Sequence, residues 1–404
     1  MITVNNRRYN PPSHPVVAIC LDGTAPDYLT TAADQMPQLA VIKGKGSFGL
    51  VQSAIPSFTN PNNTALVSGV PSSENGICGN FYYDPGRNEE VMMNDPEYLR
   101  CPTILSAFSQ SGYSVGAITA KDKLRKLLGK DLCGICFSIE RSEGVELGEE
   151  GLSVRDLVGR PAPGIYDPEI SIYCLEAGVR LMERHQLNVL YLSTTDFVQH
   201  KYKPGSSEAN SFYSKIDALL GELDQMGVVV GATADHGMND KVRPDGSPNV
   251  RFLETILQEH GLPEVRVILP ITDPYVVHHG ALGSYATIYL PAAQVEKAAE
   301  ILRSLDGVDL VLQREEAVIQ FQLPPDRIGE LVVLADRNTV LGRTPEWHDL
   351  KAVQSGLRSH GGLHEQKVPL FINRKLKQIY SDRLESGEAR NYDLFDFLFN
   401  GVEA

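Results

Sequence analysis

The chain has 404 residues, too many for one average domain, and a formal net charge of −14, so one large core with a smaller companion unit is expected. No basic stripe offsets that acidity, which excludes a general nucleic-acid surface. A small anionic ligand stays compatible with it, because bound cations would invert the local potential.

In chain order, Pro15-Val-Val-Ala-Ile-Cys20 is a short apolar run that predicts a buried strand delivering Asp22 to its carboxyl end, with Gly23 beside it. Asp34 to Lys45 reads as a first helix. Thr103 to Ser111 reads as helix, Ser114 to Thr119 as strand and Lys121 to Leu128 as helix. Pro168 to His185 is then helical, Asn188 to Ser193 an apolar strand with Asp196 in its turn, Ser207 to Met226 helical, and Gly227 to Thr233 a strand ending at Ala234-Asp235-His236. This alternation predicts an α/β fold with a mostly parallel central sheet flanked by helices. Ligands of such sheets bind at the carboxyl ends of the strands, where Asp22, Asp196 and Asp235 all fall.

After Asp240 the texture changes. Val265 to Leu269, Tyr275 to His278, Tyr285 to Tyr289 and Glu330 to Leu334 are strand-like, with one helix at Gln294 to Ser304. Residues 241–355 therefore read as a smaller α+β cap insertion, and 1–240 with 356–404 as the core. The core resumes at Arg358-Ser-His-Gly-Gly362, with a strand at Val368 to Ile372 and a closing helix at Asn391 to Phe399.

The six cysteines, Cys20, Cys78, Cys101, Cys133, Cys136 and Cys174, are irregularly spaced and all lie in the first half, which predicts reduced thiols. Cys133-Gly-Ile-Cys136 lacks a partner pair and reads as structural. Met1 to Ser13 is polar, and no apolar run approaches the roughly 20 residues of a membrane span. The expectation is a soluble cytoplasmic protein with no nucleic-acid or membrane partner; a homodimer stays open.

Asp196-Phe-Val-Gln-His200 can bring a carboxylate and an imidazole onto one ion if the chain turns helically after the strand. Taken alone, it reads equally well as a capping aspartate and a surface histidine. Adjacent Asp235-His236 converge only if they lie on a loop, which Gly237 permits. With Asp22 on a third turn and His360-Gly-Gly-Leu-His364 further on, acidic and imidazole groups at this many separate turns favour two neighbouring divalent metals. Two metals in turn favour phosphoryl or related ester chemistry. The donor types suit Zn²⁺ but also accept Mn²⁺ or Fe²⁺.

The ordered set Leu21-Asp22-Gly23, Phe58-Thr59-Asn60-Pro61-Asn62, Asp196-x3-His200, Ala234-Asp235-His236-Gly237 and His360-Gly-Gly resembles the alkaline phosphatase superfamily, in its nucleotide pyrophosphatase/phosphodiesterase branch. Ser57 to Asn63, Gly76 to Tyr83, Thr119-Ala-Lys-Asp-Lys123 and Ser359 to Glu365 narrow the likeness to members that hydrolyse the carbon–phosphorus bond of a small carboxylated phosphonate. The resemblance implies one metal site from Asp196, His200 and His360 and a second from Asp22, Asp235 and His236, with zinc expected; His364 is the alternative to His360, or a substrate contact. Of the two hydroxyl candidates, Thr59 and Thr64, the branch's hydroxyl two before a proline selects Thr59 as nucleophile, passing through a phosphothreonine. The likeness also implies substrate binding by Asn80, Lys121 and Lys123. Without it, Asn80 reads as a turn residue and the lysines as solvated surface. A nucleotide site would call for an aromatic sandwich, and Tyr82, Tyr83, Phe197 and Tyr202 read at least as well as packing. The competing expectations are a phosphodiesterase or phosphomonoesterase acting on P–O esters with the same groups, and a non-catalytic metal-stabilised structural or sensory protein.

Overall fold

A computed structural model describes residues 1–148, 151–271, 282–353 and 356–403, without the side chain of residue 352. The strand expected at Tyr275 to His278 lies outside the described residues. The main elements are β1 (Val16–Cys20), α1 (Pro26–Thr31), α2 (Pro37–Lys45), β2 (Ser47–Gln52), α3 (Thr59–Ser68), α4 (Ile104–Gln110), β3 (Val115–Thr119), α5 (Asp122–Leu128), β4 (Ile135–Ser138), α6 (Glu169–His185), β5 (Val189–Ser193), α7 (Phe197–Lys201), α8 (Ser207–Gln225), β6 (Val229–Thr233), α9 (Leu253–Glu259), β7 (Arg266–Ile268), β8 (Tyr285–Tyr289), α10 (Val295–Arg303), β9 (Val308–Gln313), α11 (Arg314–Phe321), β10 (Leu331–Ala335) and β11 (Lys367–Ile372).

The central seven-stranded sheet has the order β2-β11-β6-β1-β5-β3-β4. The five strands from β6 to β4 are parallel, and β11 and β2 extend the sheet antiparallel at one edge. Every residue of β1, β3, β5 and β6 is buried, the expected state of strands covered on both faces. In β1 the alternation is explicit. Val17, Ile19 and Leu21 enter a core built with α1, α2, α6 and α8, while Val16, Ala18 and Cys20 enter one built with α4, α5 and the carboxyl-terminal segment.

What positions the site is register. Cys20 pairs with Ser193 on one side and Thr233 on the other, and Ser193 pairs with Thr119. Four strands therefore end in line, and the turns that follow begin on one edge.

A second, four-stranded antiparallel sheet has the order β7-β8-β10-β9. One face packs with α9 and α10; the other meets Ile55, Phe58 and Ile77 through Tyr285, Val332 and Leu334. The second sheet thus lies against the segment that leads into α3.

Three sequence expectations are corrected here. The helix expected over Asp34–Lys45 is a 3₁₀ turn at Ala33–Gln35 and then α2, with α1 preceding both; Met36 breaks the run because a residue before proline is driven out of helical geometry, and Pro37 starts α2 afresh. Strands β2, β4 and β9 and helices α9 and α11 were not anticipated. The closing helix divides into 3₁₀, α and π turns over Asn391–Gly401. All six cysteines are free, with Cys133 exposed. Among the described residues no helix is long and apolar enough to cross a membrane.

Candidate active site

Asp22, Asp196 and Asp235 leave the ends of β1, β5 and β6 by two or three residues, and all are buried. Gly23, at φ +70°, makes the first turn possible: a Cβ there would come within 2.9 Å of the Asp196 Cβ. Its N–H donates to Asp235 Oδ1 at 3.1 Å, as does the His236 N–H at 3.0 Å, while Asp22 N–H donates to the Thr194 hydroxyl at 2.9 Å.

His236 Nε2 lies 3.3 Å from Asp22 Oδ1 and 3.8 Å from Asp235 Oδ2. Asp196 Oδ2 is 2.8 Å from His200 Nε2 and 3.7 Å from His360 Nε2. The His236 and His360 rings stack with centroids 3.5 Å apart. Each of the three histidines turns its other nitrogen to the main chain: Nδ1 of His200 to Arg358 O at 2.8 Å, of His236 to Gly237 O at 2.9 Å and of His360 to Ser57 O at 2.7 Å. A carbonyl can only accept, so each Nδ1 carries a proton and Nε2 is the nitrogen turned to the carboxylates, the arrangement usual for metal-binding histidines.

The donor chemistry fits divalent metal ions. Asp22, Asp235 and His236 place one donor atom each within 4.8 Å of one another, and so do Asp196, His236 and His360. Asp22 Oδ1 is buried without a hydrogen-bond partner among the described residues. Burial, with Asp196 and Asp235 adding repulsion, raises the Asp22 carboxyl to about 8. Burial works against a charged His236, but Asp235 and Asp22 outweigh it and raise the imidazole to about 10. Asp196 responds oppositely: burial opposes its ionisation, but His200 and Lys121 hold the carboxyl well below its usual range. Burial and the neighbouring His236 push His360 well below its ordinary value. The centre draws positive charge.

Thr59 opens α3, a ten-residue helix, and its hydroxyl lies 3.4 Å from His236 Nε2. Pro61 lacks an N–H, and the N–H groups of Thr59 and Asn60 have no acceptor among the described residues, so the first turn presents unsatisfied donors beside the hydroxyl. Thr64 is fully buried further along the helix, with a hydroxyl that has no partner among the described residues.

Lys121 caps α5, its Nζ 3.6 Å from Asp196 Oδ1, and Lys123 follows in the first turn, partly buried. Asn80 donates to Ile271 O at 2.9 Å, and its buried Oδ1 has no partner among the described residues. His364 is exposed, and its Nε2 meets Asp309 Oδ2 of β9 at 2.7 Å, while His360 joins the carboxylate group. Beside Asp196 and His200 opens a cavity of about 860 Å³ whose wall includes Lys121, Phe197, Tyr202 and Arg358. Tyr82 and Tyr83 are engaged elsewhere, against Tyr98 and Tyr289.

Sequence reasoning missed Asn63. Its buried amide donates to Asp235 Oδ2 at 3.2 Å and Thr59 O at 3.1 Å, and accepts from the Tyr191 and Ser193 hydroxyls at 2.8 Å each. Its residue type gave no separate signal, because Asn60, Asn62 and Asn63 crowd one short helix in which asparagine is poorly favoured.

The pattern for type I phosphodiesterase / nucleotide pyrophosphatase matches residues 16–363, and the chain belongs to that family. It is a hydrolase of the alkaline phosphatase superfamily, with the fold expected of it. Along its whole length it is similar to phosphonoacetate hydrolase from Sinorhizobium meliloti 1021. The structure of that enzyme with phosphonoformate is 48% identical, covers 100% of this chain and 99% of the other, and superposes with a TM-score of 0.94; its complex with phosphonoacetate is 47% identical with the same TM-score of 0.94. Human ectonucleotide pyrophosphatase/phosphodiesterase 5, 18% identical with a TM-score of 0.63 over 95% of this chain and 94% of its own, shares the fold. Curated relatives are more distant. An uncharacterized pyrophosphatase/phosphodiesterase of Schizosaccharomyces pombe is 23% identical over 52% of this chain and 40% of its own length. Human ectonucleotide pyrophosphatase/phosphodiesterase family member 1 is 24% identical over 52% of this chain and 21% of its own. The chain thus spans less than half the length of these curated relatives.

Proposed function

We propose that this protein hydrolyses phosphonoacetate to acetate and phosphate. The observation that carries the reading is the full-length likeness to a phosphonoacetate hydrolase, together with the cation Lys121 at the edge of a buried carboxylate–imidazole centre, with Lys123 two residues further along the chain. Asp22, Asp235 and His236 would hold one divalent ion and Asp196, His200 and His360 another, zinc being the ion we favour. When bound, the ions stabilise an alkoxide and the charge that develops on phosphoryl oxygens.

The Thr59 hydroxyl gives its proton up to water, and Oγ1 forms a bond to phosphorus as the carbon–phosphorus bond breaks. The departing electron pair is delocalised into the substrate carboxylate as an enediolate, which takes a proton to become acetate. Water then cleaves the phosphothreonine, releasing phosphate and restoring the hydroxyl. Lys121 and Lys123 pair with the substrate's anionic oxygens. The second amide N–H of Asn80, the one not given to Ile271 O, and the Asn60 N–H donate to phosphoryl oxygens in the transition state. Residues 241–355 act as a cap over this edge, and the reading puts the enzyme in the cytoplasm. The assignment is tested by measuring phosphate release by metal-loaded protein from phosphonoacetate, other phosphonates and aryl phosphate esters. Faster turnover of aryl esters than of phosphonoacetate would replace it with an ordinary esterase.

A further inference from the structure

Outside the carboxylate–imidazole centre, the described residues contain one cation and one anion that pair with both side chains fully enclosed. Lys241 Nζ and Glu365 Oε1 are 2.9 Å apart, and both side chains are 0% exposed. Both carboxylate oxygens are bonded, and the ammonium has two acceptors. Glu365 Oε1 also accepts from Asn239 Nδ2 at 2.5 Å, and Oε2 from the Gly362 N–H at 3.1 Å. Lys241 Nζ donates in addition to Arg337 O at 2.9 Å.

The partners come from two segments that matter. Asn239 and Lys241 follow Asp235-His236, and Gly362 and Glu365 follow His360. The Glu365 carbonyl also accepts from the Gly237 N–H at 2.7 Å, next to His236. A third segment joins through Arg337, just past β10 of the second sheet, and Ser284, just before β8, donates to His360 O at 2.9 Å. Two charges taken wholly out of water gain little net stability over apolar side chains of similar volume, so stability alone is a weak reason for such a pair, whereas fixing one register between segments is the better-attested use.

We infer that the Lys241–Glu365 pair, with Asn239, positions the metal centre: it locks the turn bearing Asp235 and His236 against the turn bearing His360, so that the stacked His236 and His360 rings present their Nε2 atoms at a fixed separation. Lys241 and Glu365 are positioning residues, acting through the histidines. The inference rests on the reading that these histidines and carboxylates bind metal.

The test compares wild type with the double substitution Lys241→Met/Glu365→Gln, which removes both charges together. Affinity is measured by competing Zn²⁺ against a chelator, and ligand geometry from the visible absorption of Co²⁺-loaded protein. The expected result is a metal-free variant that unfolds cooperatively as wild type does, with Zn²⁺ affinity weakened by about tenfold or more and a shifted Co²⁺ spectrum. Wild-type affinity and an unchanged spectrum would overturn the inference, as would lost metal-free stability with affinity intact. If the double variant does not fold, Asn239→Ala decides: it removes one donor to Glu365 and leaves the ion pair, and unchanged Zn²⁺ affinity overturns the inference where roughly threefold weakening supports it. Failure of wild type itself to bind Zn²⁺ or Co²⁺ would instead sink the metal reading beneath it.

Discussion

Two buried polar clusters share the same pair of chain segments and resolve their charges in opposite ways. Around His236 and His360, three aspartates converge, Asp22 Oδ1 has no hydrogen-bond partner among the described residues, and the local field raises one imidazole and one carboxyl far above their ordinary values. A few residues further along each segment, Lys241 and Glu365 cancel each other and both carboxylate oxygens are bonded. Burial alone does not mark a reactive centre. Surplus charge with an open acceptor does, because such a cluster is stable only when more positive charge joins it.

The contrast can be broken most sharply at Thr59. Thr59→Ala touches only the open cluster, so phosphate release should fall by on the order of 10³ or more while metal content, measured on the same preparation, stays at the wild-type level. Near-wild-type turnover would remove Thr59 as nucleophile. Lys241→Met is the mirror experiment. It leaves Glu365 buried and unpaired, and urea unfolding should register a loss of roughly 3–5 kcal/mol, far more than the double substitution that removes both charges; equal losses would mean that the pair is not a balanced unit.

Lys123→Ala tests the substrate contact proposed beside the open cluster. We expect about 10²-fold slower turnover of phosphonoacetate and a smaller loss with an ester whose leaving group is neutral, since only the former brings a carboxylate to be neutralised. Equal losses on the two substrates would count against a substrate-carboxylate role. The smallest effect is expected at Asn63→Ala, which strands the Tyr191 and Ser193 hydroxyls and one Asp235 contact. Thermal or urea unfolding should show a cost of about 1–3 kcal/mol, and a neutral result would mean that water replaces the amide.

The carboxyl-edge chemistry was readable from sequence because β1, β5 and β6 are short uninterrupted apolar runs and the aspartates follow within three residues. Local pattern and tertiary position coincide there. They part company at Asn63, Lys241 and Glu365, each an ordinary polar residue by composition; whether a lone lysine is solvated or enclosed depends on what folds over it, and its partner is 124 positions away. The same holds for β2 and β4, half-buried strands at the sheet's two edges whose mixed composition gives no clean alternation. The helix over Asp34–Lys45 was misjudged for a local reason, the proline at 37, which restarts a helix and does not continue one.

The three Nδ1 contacts to Arg358 O, Gly237 O and Ser57 O have a consequence for how this centre tolerates change. Because every ring is aimed by main chain, an exchanged side chain can displace an imidazole only by moving the backbone that holds it, as the Lys241–Glu365 pair is placed to do. The vulnerable letters are instead those that shape the backbone. Gly361 is the clearest, at φ +118° with the Phe58 ring only 2.3 Å from where a methyl group would sit. A residue with no side chain, bonded to nothing in the reaction, thereby becomes one of the least replaceable in the chain.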